Sequence, residues 1–279
     1  MITDQYIKTL AYDAGKSANL HSKADAYSDT LNTQGFASFS SVFSPEEVVE
    51  LRAALSAGFA VPGESRYLSP QLGSVHVDLF TWPEVAKRTF VPKLFNAIRT
   101  VLGEHIVILP EHGAHREGFG SWHKDTDMFE RAKQLDHWCV NYHVYQCAVY
   151  MQDNSLATGG GLSVIPGSHR VPHPHTVIDP VLRKQCQDWY DEKREVALGL
   201  KAGDLLIFDT RLNHSATPRT VVAEHEKLAI FLIAAHVNEF SELYTHFIHA
   251  RPDYAYLKDY AVPEQFQVLA RAHGCRFSL

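Results

Sequence analysis

The pattern of apolar and polar residues changes at about residue 105. From there the chain carries short runs of β-branched and aromatic residues, divided by Gly and Pro turns, and such runs predict strands. The predicted strands are residues 105–109, 140–151, 162–165, 195–198, 205–208 and 228–237. Short strands in this arrangement are typical of a sandwich or jelly roll rather than of alternating βαβ units. The sequence therefore predicts a mainly β core.

Helical patterns flank this core on both sides. Ser44 can cap a helix, Pro45 suits its first position and Glu47 completes a capping box, so a helix is predicted from Pro45 to about Ser56. Three further segments have the apolar spacing of helices: residues 83–102, 239–250 and 264–273. The core is thus expected to be braced by helices.

Length and composition indicate one soluble unit. A chain of 279 residues with 45% hydrophobic content can bury one large core, so we expect a single domain. We expect its parts to be residues 1–104 as an N-terminal helical support, 105–238 as the catalytic core and 239–279 as a C-terminal helical extension. A net charge of −6 argues against a nucleic-acid surface, and no apolar run approaches the ~20 residues of a membrane span.

The cysteines and the first residues indicate the compartment. No Cys-x-x-Cys spacing occurs among Cys139, Cys147, Cys186 and Cys275, and the first residues lack a basic then apolar export signal. We therefore expect a cytoplasmic protein with free thiols. The sequence does not indicate an oligomeric state.

The candidate metal ligands are His123 and Asp125, in Trp-His-Lys-Asp, and His214, in Asn-His-Ser. A histidine and an acid two residues apart on an extended strand face the same side, and a second strand can supply another histidine. Two imidazoles and a carboxylate leave one face of a metal open, which suits non-haem Fe(II). Zn(II) also accepts this ligand set. Because the chain has 17 histidines, chance pairs occur, and His169 is the main rival ligand.

Three segments follow the His-x-Asp pair in order: a strand-like run at 139–152, the turn Gly-Gly-x-Leu-x-Val-x-Pro-Gly-Ser-His-Arg within 159–170, and Gly-Asp-Leu-Leu-Ile-Phe-Asp at 203–209 before His214. This ordered set resembles the phytanoyl-CoA dioxygenase family of Fe(II)- and 2-oxoglutarate-dependent oxygenases over about residues 35–240. The resemblance implies a double-stranded β-helix, a cupin-like jelly roll. It also implies that His123, Asp125 and His214 are the metal-binding and catalytic residues.

The resemblance further implies a reaction. Fe(II), 2-oxoglutarate and O2 would hydroxylate a C–H bond of a small-molecule substrate and give succinate and CO2. Because Asp125 occupies the carboxylate position, hydroxylation is favoured over halogenation. The alternatives are a Zn(II)-dependent hydrolase and a non-catalytic metal-binding jelly roll. A hydrolase would need a further acid beside the metal-bound water, whereas the oxygenase would need a cation for 2-oxoglutarate.

The expected cation is a basic residue, usually arginine, at the start of the strand after the second histidine. Lys227 stands there and offers a point charge in place of a bidentate fork. Arg219, five residues past His214, is the competing anchor. Lys227 shares a strand face with Ala229 and Phe231, and it can bind a ligand only if that face is the interior.

Three other segments have both a functional and a structural interpretation. Residues 119–138 are crowded with charge and form either a lid or a plain loop, while the glycines at 159–161 predict a hairpin turn rather than a phosphate site. Four basic residues favour, weakly, an anionic substrate such as a phosphonate or a carboxylate: His112, His115, Arg116 and Lys124. A polar strand edge is the alternative for these four residues.

Overall fold

The computed structural model describes residues 23–69, 73–118, 120–127, 129, 137–139, 141–218, 220–221 and 225–278. In these residues the strands are β1 (Phe36–Phe39), β2 (Arg66–Ser69), β3 (Gly73–Val77), β4 (Ile106–Arg116), β5 (Val144–Tyr150), β6 (Leu162–Val164), β7 (Val196–Ala197), β8 (Leu205–Asp209), β9 (His214–Ala216), β10 (Leu228–His236) and β11 (Cys275–Phe277). The α-helices are α1 (Lys23–Gln34), α2 (Pro45–Ala60), α3 (Pro83–Thr89), α4 (Pro92–Leu102), α5 (Pro180–Asp191), α6 (Glu239–Ala250) and α7 (Glu264–Ala272).

The strands form two sheets. The large sheet has the order β1-β8-β5-β10-β4-β3-β2, with β11 added beside β4, and the small sheet has the order β7-β6-β9. All pairs are antiparallel except β11 with β4. One apolar cluster joins the inner faces of both sheets, with Leu162 and Val164 from the small sheet and Ala148, Leu206 and Phe208 from the large one. The described strands do not close into a barrel. The predicted mainly β jelly-roll architecture with flanking helices is confirmed.

The helices pack mainly on the other face of the large sheet. The largest apolar cluster there combines residues of α2 and α4 with alternate residues of β10, namely Ile230 and Leu232. Helix α2 begins as predicted: the Ser44 hydroxyl accepts from the Glu47 amide, and the Glu47 carboxylate accepts from the Ser44 amide. The helix extends beyond the predicted end, to Ala60. This packing leaves the opposite face of β10 to the space between the sheets.

The single helix predicted over 83–102 is wrong. Two helices, α3 and α4, meet at Phe90 and Val91, because Pro92 has no amide hydrogen and disfavours helical geometry in the residue before it. Helices α1 and α5 and the strands β1, β2, β3 and β11 are additional elements that the sequence pattern did not predict. All four cysteines are free thiols, as predicted. In the described part of the chain, no helix has both the length and the apolar character needed to cross a membrane.

Candidate functional site

The two candidate histidines are held side by side by the backbone. His123 and His214 form an antiparallel bridge in which each amide donates to the other's carbonyl, both at 2.9 Å. Residues directly opposite each other on paired strands bring their side chains close together, and here the ring centroids lie 4.3 Å apart. His214 begins β9, so the small sheet carries this half of the pair.

Asp125 completes the group from a turn. The extended strand expected through Asp125 ends at His123, and Asp125 already belongs to the turn that follows. Its Oδ1 atom lies 3.5 Å from Nε2 of His123 and 3.7 Å from Nε2 of His214. One potential ligand atom from each of the three residues falls within 4.8 Å of the others, and no second group of this kind occurs among the described residues.

Both imidazoles are oriented by their other nitrogen. Nδ1 of His123 lies 2.7 Å from the Ser121 carbonyl, and Nδ1 of His214 lies 2.9 Å from the Leu212 carbonyl. A carbonyl can only accept, so each Nδ1 carries a hydrogen, and Nε2 is the nitrogen that each ring turns towards Asp125. Nε2 of each ring is therefore the nitrogen that could bind a metal.

The electrostatics of the three residues differ from one another. Burial lowers the pKa of His214 to about 4, so this imidazole is neutral. Burial also opposes protonation of His123, but the hydrogen bond and charge of Asp125 outweigh it and raise the His123 pKa to about 9. Oδ2 of Asp125 is buried and has no hydrogen-bond partner among the described residues. A cation on this carboxylate would satisfy an oxygen that is otherwise costly to bury.

Lys124, between the two ligands in sequence, faces away from them. Its side chain is 1% exposed, and its ammonium donates to the carbonyls of Ser168 at 2.5 Å, Val171 at 3.1 Å and Arg211 at 2.7 Å. The assignment of Lys124 to an anion-binding group is therefore wrong. The lysine instead joins the His-x-Asp segment to the Gly-Ser-His-Arg turn and to the turn before His214.

Ser168 belongs to the same junction. Its hydroxyl accepts from the amide of Asn213, the residue before His214, at 2.8 Å. The preceding Gly167 has φ of +81°, a left-handed conformation that suits glycine at this bend. The turn therefore positions the His214 segment through the Ser168 hydroxyl.

The three residues open into a cavity of about 330 Å³ between the sheets. Its floor is the inner face of the large sheet, where β-ladder pairs place side chains in rows: Val75, His115, Ala229 and Tyr150 in one row, and Val77, Gly113 and Phe231 in the next. Ala229 and Phe231 thus face the interior. Lys227 continues their alternation, is 6% exposed and lines the same cavity.

Gly160 is the close neighbour of the Lys227 side chain. A Cβ atom at this glycine would lie 2.7 Å from the lysine Cδ, and the glycine φ of +77° suits no other residue well. The turn predicted at 159–161 lies slightly earlier in the structure: residues 156–158 form it, and Ser155 and Gly159 close it as an antiparallel bridge. Gly160 follows this turn and makes room for Lys227. The Gly160 amide donates to the Thr217 carbonyl and the Thr217 amide donates to the Gly161 carbonyl, and these bonds extend the pairing of β6 with β9.

Replacing Gly160 with alanine is expected to displace the end of the Lys227 side chain. If Lys227 binds a ligand in this cavity, the affinity for that ligand should fall by about tenfold, since one charge-assisted hydrogen bond contributes roughly 1.5–3 kcal/mol. Titration of 2-oxoglutarate into the metal-loaded variant measures this. Gly199→Ala is the matched control, because a Cβ there meets nothing within 4 Å. Equal affinities in the two variants would contradict the role of Gly160.

The other candidate residues lie elsewhere or outside the description. His169 is buried with Nε2 3.1 Å from the Asn32 carbonyl and does not line the cavity, so it is no part of the triad. Arg219, the competing anchor, lies outside the described residues. In the segment 119–138, predicted as a lid or a plain loop, residues 119, 128 and 130–136 lie outside them too.

Of the predicted anion-binding residues, His112 and His115 do line the cavity. Burial lowers the pKa of His112 to about 3 and that of His115 to about 4, so neither is a cation near neutral pH. Arg116 lies over the Phe59 ring.

The cavity also holds polar residues that the sequence interpretation missed, and three of them lie together: Glu111, Arg251 and Tyr254. Glu111 faces it from an irregularity in β4, where the register with β10 shifts between Leu232 and Ala234. Such bulges redirect side chains and are common beside active sites. Arg251 and Tyr254 reach the same place from the chain after α6, and Tyr254 donates a hydrogen bond to Glu111. Pro110, directly after the predicted strand 105–109, was the available signal for an irregularity there.

Comparison with known proteins places this geometry in a family. The sequence model of the phytanoyl-CoA dioxygenase (PhyH) family matches residues 31–221. No curated protein sequence gives a significant match.

Several solved structures share the fold at low identity. The α-ketoglutarate-dependent epimerase SnoN from nogalamycin biosynthesis, in complex with Fe3+, α-ketoglutarate and nogalamycin RO, is 16% identical with a TM-score of 0.59, over 76% of this chain and 83% of SnoN. EctD from S. alaskensis, with 2-oxoglutarate and 5-hydroxyectoine, is 21% identical with a TM-score of 0.55, over 81% of this chain and 80% of EctD. The carbocyclase SnoK from nogalamycin biosynthesis is 15% identical with a TM-score of 0.59, over 80% and 88%.

Proposed function

The chain belongs to the phytanoyl-CoA dioxygenase family, and from this premise we propose that it is an Fe(II)- and 2-oxoglutarate-dependent oxygenase that hydroxylates a C–H bond of a small molecule. The observation that carries the proposal is the convergence of two Nε2 atoms and one carboxylate oxygen within 4.8 Å at the wall of a cavity. His123, Asp125 and His214 are the assigned iron ligands. The SnoN structure contains α-ketoglutarate, which is another name for 2-oxoglutarate, and the EctD structure contains 2-oxoglutarate. Both structures support the same cosubstrate here.

The chemistry that iron and 2-oxoglutarate supply together is the O2-dependent oxidation of a C–H bond, with succinate and CO2 as products. The protein contributes orientation and a protected site. The carbonyls of Ser121 and Leu212 orient both imidazoles so that Nε2 is the nitrogen that could bind a metal. The apolar row around Phe231 limits water at the inner face of the cavity, so polar interactions there are strengthened.

Lys227 is the proposed anchor for the distal carboxylate of 2-oxoglutarate. Lys227 is buried, its aliphatic side chain lies against Gly160, and it lines the same cavity as the triad. The backbone around it is fixed, because the Lys227 amide donates to Glu117 Oε1 at 2.8 Å and its carbonyl accepts from the Glu117 amide at 2.9 Å. A single ammonium gives charge complementarity without the two parallel bonds of arginine.

Replacing Lys227 with methionine is expected to raise KM for 2-oxoglutarate at least about tenfold, because the substitution removes a charge-assisted hydrogen bond and leaves the length of the stem nearly unchanged. Succinate release at increasing cosubstrate concentration measures this. Lys87→Met removes an exposed lysine that pairs with Glu84 and should leave KM unchanged. A Lys227→Met enzyme with the parental KM would assign the anchor to another cation.

The oxygenase itself is tested without a substrate. Anaerobic addition of Fe(II) and then 2-oxoglutarate to the folded protein should produce a weak visible charge-transfer band. A folded protein that binds Fe(II) but develops no band with 2-oxoglutarate would contradict the proposal.

One observation favours a second function, a Zn(II)-dependent hydrolase. Such an enzyme needs an acid beside the metal-bound water, and Glu111 lines the cavity together with the triad. Tyr254 already donates a hydrogen bond to Glu111, however, and family membership supports the oxygenase. Turnover that requires Zn(II) and not 2-oxoglutarate would identify the hydrolase.

A further inference from the structure

The floor of the cavity has a slot above Ala229, with a larger side chain on each side. Ala229 of β10 pairs with Tyr150 of β5 on one side and with His115 of β4 on the other. Neighbouring strands lie about 4.8 Å apart, so the Cα atoms of Tyr150 and His115 are roughly 10 Å apart. Because the residue between the two rings carries only a methyl group, space remains above it. All three residues line the cavity.

The two ends of the slot differ in their chemistry. Alternation along the chain places Lys227 before Ala229 and Phe231 after it on the same face, and both also line the cavity. The Phe231 ring packs against both sides of the slot, since its centroid lies 4.6 Å from that of His115 and 6.2 Å from that of Tyr150. The slot is therefore bounded by an aromatic ring at one end and followed by the lysine at the other.

The two sides of the slot carry neutral polar groups, the Tyr150 hydroxyl and the His115 imidazole. Burial lowers the pKa of His115 to about 4 and raises the pKa of Tyr150, so neither side chain is charged near neutral pH. Burial is the only cause of either shift, and neither side chain has a hydrogen-bond partner among the described residues. Polar groups in an apolar environment are costly without a partner, so two of them facing one slot indicate a ligand.

Both groups can donate a hydrogen bond to a carboxylate. A phenol donates its hydroxyl hydrogen, and a neutral imidazole donates one ring N–H. An arginine anchor would donate two parallel bonds to a carboxylate, whereas the ammonium of Lys227 acts as a point charge. Two neutral donors in the slot beside Lys227 would supply directed hydrogen bonds without adding charge to the cavity.

We propose that Tyr150 and His115 donate hydrogen bonds to the distal carboxylate of 2-oxoglutarate, which lies in the slot above Ala229 beside Lys227. This inference rests on the proposed function and names two further residues of its cosubstrate site. It also gives a reason for the small residue at position 229, because a longer side chain there would occupy the place of the carboxylate.

The test compares two keto acids by isothermal titration calorimetry with the Mn(II)-loaded protein. 2-Oxopentanoate has the same keto acid head as 2-oxoglutarate and a methyl group in place of the distal carboxylate. In Tyr150→Phe and in His115→Phe the affinity for 2-oxoglutarate should fall about tenfold, since each variant loses one hydrogen bond to a charged group. The affinity for 2-oxopentanoate should stay within about twofold of the parental value. A residue that only stabilises the fold would change both affinities by the same factor.

Tyr145→Phe is the matched control for these variants. Tyr145 lies on the same strand but packs in the core on the opposite face, where its hydroxyl contacts Nδ1 of His143 at 2.9 Å. Its loss should leave both affinities unchanged. Ala229→Val should lower the affinity for 2-oxoglutarate at least about tenfold, because the added methyl groups occupy the slot.

The outcomes separate this inference from the proposed function. An unchanged 2-oxoglutarate affinity in Tyr150→Phe or in His115→Phe would overturn the role of that residue, and the same result in Ala229→Val would place the carboxylate elsewhere. Equal loss of both keto acids in the Tyr150 and His115 variants would show that these residues only support the fold. In each of these cases the oxygenase proposal stands, whereas a parental protein that binds no 2-oxoglutarate overturns both proposals.

Discussion

Replacing His214 with alanine is expected to abolish 2-oxoglutarate turnover and to weaken metal binding by more than about 100-fold. Loss of a residue that only supports a metal ligand typically costs about 10- to 100-fold in affinity, so loss of a ligand should exceed that range. The remaining pair, His123 and Asp125, would keep the 3.5 Å contact between Nε2 and Oδ1 but offer only two donors. Equilibrium dialysis with Co(II) measures the affinity, and succinate release measures turnover.

His169→Ala is the matched control for this prediction. It removes the same side chain from another buried position, where Nε2 contacts the Asn32 carbonyl. The folded control should bind Co(II) with the parental affinity. Undiminished turnover in the His214 variant, or equal loss of metal in both variants, would remove His214 from the ligand set.

Replacing Lys124 with methionine is expected to lower the free energy of unfolding by about 3 kcal/mol, because three buried carbonyl groups lose their hydrogen-bond donor. One of these carbonyls belongs to Ser168 in the Gly-Ser-His-Arg turn, the second to Val171 directly after that turn, and the third to Arg211, three residues before His214. The metal affinity should therefore also fall, by at least about tenfold, as expected for a residue that positions ligands. Urea unfolding of the metal-free protein measures the first effect, and Co(II) dialysis the second.

Lys201→Met provides the comparison for Lys124. Lys201 is exposed and pairs with Asp153 at 2.9 Å, so its loss should change stability by less than about 0.5 kcal/mol and leave metal binding unchanged. If Lys124→Met unfolds at the parental urea concentration, the carbonyl contacts do not stabilise the fold. If it loses stability but keeps full metal affinity, Lys124 supports the core and not the triad.

The candidate metal residues and much of the fold could be predicted from the sequence alone. The strands around β10 and the cap of α2 follow from local rules of alternation and capping, and α6 was predicted at the bounds it has. His123, Asp125 and His214 could be grouped because the segments between them occur in a recognisable order. The break before α4 could also have been predicted, since Pro92 stands at that position.

The remaining features depend on contacts between distant parts of the chain. The carbonyls that bury Lys124 lie 44 to 87 residues further along, so no local pattern distinguishes this lysine from an exposed one. Glu111 faces the cavity because of a bulge, which simple alternation does not reveal, and its partners Arg251 and Tyr254 follow a helix about 140 residues later. Cavity residues of this kind are brought together only by the folded structure.

The histidine bridge has a consequence for the shape of any metal centre built on it. Nδ1 of each imidazole contacts the carbonyl two residues before it, and each amide donates to the carbonyl of the other histidine, so both histidines make the same set of bonds. The pair alone therefore does not distinguish one side of a bound ion from the other. Asp125 on the following turn is the one member of the group without a counterpart, so its position would set which side of a bound ion the three residues cover and which side they leave open.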